Sequence, residues 1–383
     1  MRWIYALGIC VFLGAILFVA QYPAFPTEEA YVAPAQEVRI LPAAVALAPT
    51  LSSTTTRAAT SSPERVSTTT TQQKQEKLYI EPKKENPETR SVVRVEDPYT
   101  SPALSFDTVN ISTRAALVNI FCVPSGGSLS PISGSGVFID SRGVILTNAH
   151  VAQYVLLAQS GLVDLACSIR TGAPAAPSYK VSVLAFPRVW AIEHAEDAKT
   201  RSRLGTGEHD WALLRAFPMN NSSSQLSVYA LDIDTRPAIG FVDDQVLGAG
   251  YPAEFVGGTI AQTQLFPASS VTRIDELFTF GSTTVDVFSI GSLIAAQAGS
   301  SGGAVTNKWG KLIGIITTTS EGVSTANRSL RALTLSYIDA DLQQQVGRNL
   351  KDFLAQNLDD LSENFAQTTL PSLANILLAP LAR

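Results

Sequence analysis

From Val109 onward the sequence is a succession of short apolar segments separated by turn residues, and this pattern restricts the possible folds most. Helical periodicity is rare between these segments, and Gly, Pro, Asn and Asp separate them. Many short strands with frequent turns indicate an antiparallel sandwich or barrel. We therefore predict an all-β domain. Its clearest candidate strands are Leu117–Val123, Gly136–Ile139, Val144–Thr147, Lys180–Phe186, Ala212–Ala216, Gln245–Ala249, Thr284–Ile290 and Leu312–Thr317.

The periodicity changes near Tyr337. Apolar residues recur every three or four positions from Ile338 to Phe365, which predicts one amphipathic helix that packs against the barrel. The β-domain is expected to span residues 108–340, and the helix and a short apolar tail residues 341–383. The tail after Pro371 has no pattern that assigns it.

The N-terminal segment has the properties of a membrane anchor. Residues Trp3 to Ala20 carry no charge, and the run is just long enough to span a bilayer core. Arg2 precedes it, and no Lys or Arg follows until Arg39. The positive-inside rule then puts the N-terminus in the cytoplasm and the rest outside, in the periplasm or at the cell surface. We predict a transmembrane signal anchor in residues 1–21; a cleaved signal peptide is the alternative.

Residues 22–107 are rich in Ser, Thr and Pro and have no apolar period. Such a sequence buries too little apolar surface to offset its ordering entropy, so we predict a disordered linker. The formal charge of −5 and the isoelectric point near 5.4 argue against a nucleic-acid partner.

Three cysteines are too few for a disulfide scaffold, and no cysteine pair has zinc-ligand spacing. Cys10 lies in the apolar run, which leaves Cys122 and Cys167 as a possible disulfide pair. The predicted compartment permits such a bond but does not require it.

Residues Gly299 to Gly303 place two serines between glycines. A serine hydroxyl in such a turn is a candidate nucleophile, but it needs a base beside it. His150 stands at the end of one predicted strand, and Asp210 stands just before another. A carboxylate that enters a buried strand needs a partner, and an imidazolium would serve. The other two histidines, His194 and His209, are expected at the surface.

The chain order His150, Asp210, Ser301, with two glycines after the serine, resembles the chymotrypsin-like serine proteases. Segments Gly134–Asp140 and Gly143–Val151 are similar to the HtrA/Deg bacterial branch, here without a PDZ domain. The resemblance covers roughly residues 110–340 and implies two six-stranded antiparallel β-barrels with the active site between them.

The resemblance also implies roles for individual residues. Ser301 would be the nucleophile, His150 the general base, and Asp210 the group that orients the imidazole. The main-chain N–H groups of Gly299 and Ser301 would form the oxyanion hole. Ala295 would lie at the base of the specificity pocket, which favours a small or medium apolar side chain. The residues expected along the substrate-binding strand are Thr317, Thr318 and Thr319.

These features predict a membrane-anchored serine endopeptidase for extracytoplasmic protein processing or quality control. Its partners would be polypeptide substrates and the membrane, with no cofactor and no metal; the oligomeric state stays open. The α/β-hydrolase alternative requires the order Ser, Asp, His, and no histidine follows Ser301. A catalytically inactive protease fold that serves as a binding module is the remaining alternative.

Overall fold

A computed structural model describes residues 83–84, 98–125, 131–196, 207–220, 226–237, 239–253, 263–281, 284–291, 299–319 and 330–380. The chain divides into two units, Met1–Gln73 and Lys74–Arg383, and all described residues belong to the second. The predicted anchor and most of the predicted linker lie outside the described residues. Among the described residues, no helix is both long and apolar enough to cross a membrane.

The described part of the second unit consists of β-strands with helices before, between and after them. Its strands are β1 (Lys83–Lys84), β2 (Leu117–Pro124), β3 (Ile132–Asp140), β4 (Val144–Thr147), β5 (Leu165–Thr171), β6 (Ala176–Ala185), β7 (Ala212–Pro218), β8 (Gln245–Gly250), β9 (Ala268–Arg273), β10 (Glu276–Thr279), β11 (Val287–Ser289), β12 (Ala304–Asn307), β13 (Leu312–Thr319) and β14 (Leu330–Thr334). Its helices are α1 (Phe106–Ala116), α2 (Ala149–Ser160), α3 (Arg188–His194), α4 (Leu335–Val346), α5 (Leu350–Leu354), α6 (Leu358–Asn364) and α7 (Leu370–Leu378), with a π-helical turn at Phe365–Thr369 between the last two.

Six strands close into the first barrel, in the order β2-β3-β4-β7-β6-β5. Every neighbouring pair is antiparallel, and closure leaves no strand edge unpaired. The interior is filled by aliphatic side chains such as Ile120, Ile145, Val183 and Leu214, each with 0% exposure. This barrel agrees with the predicted all-β architecture.

The second sheet differs from the predicted six-stranded closed barrel. Its eight strands run β1-β10-β11-β14-β13-β12-β8-β9. β9 and β10 lie six strand positions apart in that order, about 29 Å if the sheet were flat. Only Ile274 and Asp275 link them, and such a link spans about 11 Å at most. The sheet must therefore curve back on itself.

At this corner the linking residues bond to other elements. The Ile274 N–H donates to Asp244 O at 3.0 Å, and the Asp275 N–H donates to Ser289 O at 2.8 Å. The Thr272 hydroxyl donates to Ile290 O at 2.8 Å, so a side chain joins β9 to the residue that follows β11. The described strands thus form a half-barrel without a closed ladder.

The C-terminal arm (residues 335–380) also differs from the prediction of one helix from Ile338 to Phe365. Helix α4 ends at Gly347, whose φ of 81° is left-handed. The side chains of Asn349 and Asn357 then cap the starts of α5 and α6. These local hydrogen bonds interrupt the helix although the apolar spacing continues. The tail left unassigned by the sequence forms α7.

The arm begins on the second sheet and ends on the first barrel. Helix α4 packs on β13 and β14, whereas α7 packs on α2 and α3. The Arg215 guanidinium on β7 pairs with the Asp359 carboxylate on α6 at 2.5 Å. The Arg188 guanidinium donates to the Ser372 hydroxyl at 2.7 Å. The arm therefore holds the two β-structures together from one side.

Candidate active site

Two paired strands bring His150 and Asp210 together. β4 and β7 are antiparallel neighbours, with Thr147 opposite Ala212. His150 follows β4 in the first turn of α2, and Asp210 lies two residues before the start of β7. The end of one strand and the start of the other meet at the same edge of the barrel, so the two side chains become neighbours across it.

Asp210 accepts hydrogen bonds at both carboxylate oxygens. The distance between His150 Nδ1 and Asp210 Oδ2 is 2.8 Å, and the His150 main-chain N–H donates to Oδ1 at 3.0 Å. The Thr317 hydroxyl donates to Oδ2 at 2.8 Å. The side chain of Asn148 donates to the Asp210 carbonyl at 2.9 Å, which fixes the main chain of the same residue.

These bonds decide the charge of Asp210, which is only 3% exposed. Burial on its own raises the pKa of a carboxyl group, because the charged form loses its hydration. The charge and hydrogen bonds of His150, with the Thr317 hydroxyl, act against burial and hold the pKa of Asp210 below its usual value. Asp210 is therefore an ionised acceptor at neutral pH.

The serine turn (residues 299–303) lies between the two β-structures. Ser301 is partly exposed, whereas Ser300 is 1% exposed and its hydroxyl has no partner among the described residues. Only Ser301 of the two is accessible to a substrate. In this structure its hydroxyl donates to Thr317 O at 3.3 Å, and no hydrogen bond joins these two described side chains, Ser301 and His150.

The glycines of this turn are needed for both conformation and space. Gly299 has φ of 102°, and a Cβ there would lie 2.7 Å from Tyr251 O. Gly302 has φ of 83°, and a Cβ there would lie 2.1 Å from Ser135 O. A side chain at either position would meet fixed main-chain atoms and also occupy a disfavoured backbone region.

Ser135 attaches the serine turn to the first barrel. Its N–H donates to Ser301 O at 2.8 Å, and its hydroxyl donates to Gly299 O at 2.7 Å. The same hydroxyl accepts the Tyr251 N–H at 2.8 Å. Ser135 was not among the predicted site residues; its position between Gly134 and Gly136, just before a predicted strand, was the available signal.

Two main-chain donors of the serine turn are available to a ligand. The N–H groups of Gly302 and Gly303 donate to Ile316 O and Ser300 O, at 2.7 and 2.8 Å. Within the described ranges, the N–H groups of Gly299 and Ser301 have no acceptor. These are the two donors that the resemblance assigns to an oxyanion hole.

The family comparison covers this same region. The family model described as the trypsin-like peptidase domain matches residues 134–315. The match includes His150, Asp210 and Ser301. The chain contains a trypsin-like peptidase domain.

This domain makes the protein a serine peptidase, a hydrolase of peptide bonds. A crystal structure of the serine endoprotease from Yersinia pestis is similar to the chain at 19% sequence identity and a TM-score of 0.41. The alignment covers 65% of this chain and 70% of that one. No curated protein matches the chain in sequence.

The predicted specificity residues are only partly described. Thr317, Thr318 and Thr319 lie on β13, and the Thr317 hydroxyl donates to Asp210. The side chains of Thr318 and Thr319, and the whole of Ala295, lie outside the described residues.

Two further features of the peptidase domain concern cysteine and histidine. Cys122 and Cys167 are joined by a disulfide bond between paired positions of β2 and β5. His209 is not the surface residue expected from the sequence, because its side chain is 18% exposed and bonds to Asp341. The sequence missed this partner because it lies 132 residues away. Over the described ranges, no group of three or more His, Cys, Asp or Glu side chains is arranged to hold a metal ion.

Proposed function

We propose that the protein is a membrane-anchored serine endopeptidase that cleaves polypeptides outside the cytoplasm with His150, Asp210 and Ser301. The observation that carries the proposal is the 2.8 Å contact between His150 Nδ1 and the buried Asp210 carboxylate, next to an accessible serine in a glycine turn. The HtrA/Deg branch and a role in protein processing or quality control are part of this proposal.

Acylation would use these groups in sequence. Ser301 Oγ attacks the carbonyl carbon of the scissile bond while His150 Nε2 takes the hydroxyl proton. Asp210 keeps the hydrogen on Nδ1, which leaves Nε2 free to accept, and it stabilises the imidazolium that forms. The negative oxygen of the tetrahedral intermediate would accept the N–H groups of Gly299 and Ser301. The C–N bond breaks when His150 returns the proton to the leaving amine.

Deacylation would repeat the same steps with water. His150 takes a proton from the water molecule as its oxygen attacks the ester carbonyl. The second tetrahedral intermediate uses the same two N–H donors. It collapses when the ester C–O bond breaks and Ser301 Oγ recovers a proton from His150, which restores the enzyme.

The orientation of Ser301 bears on this mechanism. Its hydroxyl donates to Thr317 O, so attack requires the hydroxyl to exchange this acceptor for His150. Catalytic hydrogen bonds are often formed only when substrate is bound. The Ser301–Thr317 bond is also the observation that favours the inactive binding module, and the labelling experiment below separates the two.

The disulfide supports a location outside the cytoplasm. Disulfides persist in oxidising compartments and are rare where thiols are kept reduced. The Cys122–Cys167 bond lies in the first barrel, on the side of the predicted anchor that the positive-inside rule places outside. Digestion of the domain by added protease before the cytoplasmic membrane is opened would support this location, and protection until that membrane is opened would contradict it.

The mechanism is tested by labelling the full chain with a fluorophosphonate probe. We expect the wild type and Ser300→Ala to be labelled and Ser301→Ala to remain unlabelled. Labelling that survives in Ser301→Ala would identify a different nucleophile. A folded wild type that is never labelled would contradict the catalytic proposal and leave the binding module.

A further inference from the structure

A second His–Asp pair lies directly behind Asp210. His209 Nδ1 is 2.9 Å from each carboxylate oxygen of Asp341, which is on helix α4 of the C-terminal arm. Asp341 also accepts the Trp211 indole N–H at 2.7 Å. One buried carboxylate therefore binds the residues on both sides of Asp210. Asp341 is 3% exposed, and the Gln345 side chain donates to it at 3.0 Å.

The main chain at His209 is held in an unusual conformation. Its φ of 57° is in the left-handed region, which non-glycine residues adopt only when the surroundings hold them there. The His209 N–H donates to the Tyr337 hydroxyl at 3.0 Å, so a second residue of α4 holds the same loop. Asp210 thus follows a residue that α4 holds at both its main chain and its side chain.

The charges around His209 are mainly negative. Its imidazole faces Asp341, and Glu208 Oε1 lies 3.9 Å from Nε2. Burial lowers the pKa of His209, but the hydrogen bond and charge of Asp341, then Glu208 and Glu193, act against it and raise the pKa overall. Burial raises the pKa of Asp341, and its bonds to His209 and Trp211 lower it overall. The fourth titratable neighbour is Tyr337, whose pKa is raised by burial and by Asp341.

We propose that His209 and Asp341 are a positioning pair that fixes the loop carrying Asp210, and through it the orientation of His150. The inference rests on the triad proposed above. It also gives the C-terminal arm an indirect role in catalysis. Asp341 belongs to the arm, and it bonds to His209 and Trp211, which are the two chain neighbours of Asp210.

The pair has a defined pH range. A raised pKa of His209 means that its stabilising contribution is complete below the ordinary histidine value, about 6.5, and is lost as the pH rises through the raised value. The lowered pKa of Asp341 sets the acid limit, where its contribution is lost as the pH falls. The activity should therefore decline as the pH rises through the raised pKa of His209.

Three variants of the full chain separate positioning from folding. His209→Ala removes the donor to Asp341. His209→Asn keeps a donor close to the Nδ1 position and tolerates φ above zero, but it cannot be charged. His194→Asn is the matched control, because His194 stacks on Trp190 in the first barrel region and has no role in the proposal.

The measurement is the saturable labelling of each variant by the fluorophosphonate probe from acid to alkaline pH. It gives a maximal rate and a half-saturating concentration, and thermal melting is followed in parallel. We expect His209→Ala to lower the maximal rate about 10- to 100-fold with little change in half-saturation, since a small misplacement of catalytic groups can cost about that much. His209→Asn should recover most of the rate at neutral pH and lack the alkaline decline. His194→Asn should behave as the wild type.

The failures of the two proposals are distinguishable. A wild type that is never labelled contradicts the proposed function itself. A wild-type maximal rate and pH profile in His209→Ala overturn the positioning role while the function stands. A wild-type alkaline decline in His209→Asn overturns it as well. Equal rate losses in both His209 variants, in proportion to a lowered melting temperature, would show a structural role only.

Discussion

The charge and hydrogen bonds of Asp210 lead to a quantitative prediction for Asp210→Asn. All three groups that bond to its carboxylate are donors: the His150 main-chain N–H, the His150 ring at Nδ1, and the Thr317 hydroxyl. An amide must turn its NH₂ either toward the main-chain N–H at the Oδ1 position or toward both the ring and the hydroxyl at the Oδ2 position. The main-chain N–H cannot change, whereas the ring can change tautomer and the hydroxyl can rotate. We therefore expect the NH₂ to face Nδ1.

This orientation puts the ring hydrogen on Nε2, where it can no longer accept the serine proton. Loss of general-base catalysis costs about 10²- to 10⁴-fold in rate, or about 3–5 kcal/mol in activation free energy. The assays are the maximal rate of fluorophosphonate labelling and the hydrolysis of fluorescent casein near neutral pH.

Asp234→Asn is the matched control for Asp210→Asn. Asp234 is also a buried carboxylate, 8% exposed, but it pairs with Arg236 and accepts the Tyr99 hydroxyl. Replacing this carboxylate with an amide should lower the stability of the protein and leave the labelling rate of the folded protein unchanged. A folded Asp210→Asn protein whose labelling rate is within about tenfold of the wild type would refute the tautomer argument.

Three further predictions concern stability and the serine turn. Gly302→Ala should lower the free energy of unfolding in urea by more than about 3 kcal/mol, because the new Cβ would clash with the main chain of Ser135. Gly347 has a similar φ of 81° but no atom within 4 Å of a Cβ, so Gly347→Ala should lower it by only about 1–2 kcal/mol through backbone strain. Equal losses in the two variants would refute the steric reason. Ser135→Ala should lower stability by about 1–3 kcal/mol, because it leaves the buried Tyr251 N–H without its acceptor. It should also slow labelling, because Gly299 O in the serine turn loses its donor; an unchanged labelling rate would show that the bond from Ser135 to Gly299 does not shape the turn. Reduction of the disulfide between Cys122 and Cys167, 45 residues apart, should lower the free energy of unfolding by about 4 kcal/mol. An equal melting temperature with and without a reducing agent would contradict this.

The sequence predicted the parts of the site that depend on local pattern. A serine between glycines, and a histidine and an aspartate at strand ends, are visible in short stretches of sequence. Turn residues and the near absence of helical periods indicated the β-structure, and the closed first barrel agrees with that prediction. Periodicity also placed helical structure after residue 337, because an apolar face repeats every three or four residues whatever it packs against.

Other features depended on contacts between distant parts of the chain. The apolar spacing gave no sign that Gly347 and two asparagines would divide the C-terminal arm into short helices. It also could not show that the second sheet has eight strands instead of six and forms no closed barrel in the described residues. His209 was expected at the surface, since nothing near it in the sequence suggests a partner.

The sequence by itself determined the residue types that the chemistry needs and the strands that carry them, because side-chain chemistry and local periodicity are properties of short segments. Only the tertiary structure decided what each polar group bonds to. Thr317, Ser135 and Asp341 acquire their partners through strand pairing and helix packing over separations of 107, 164 and 132 residues. A buried carboxylate or hydroxyl must find a partner wherever the fold provides one, and no local pattern specifies which residue that will be.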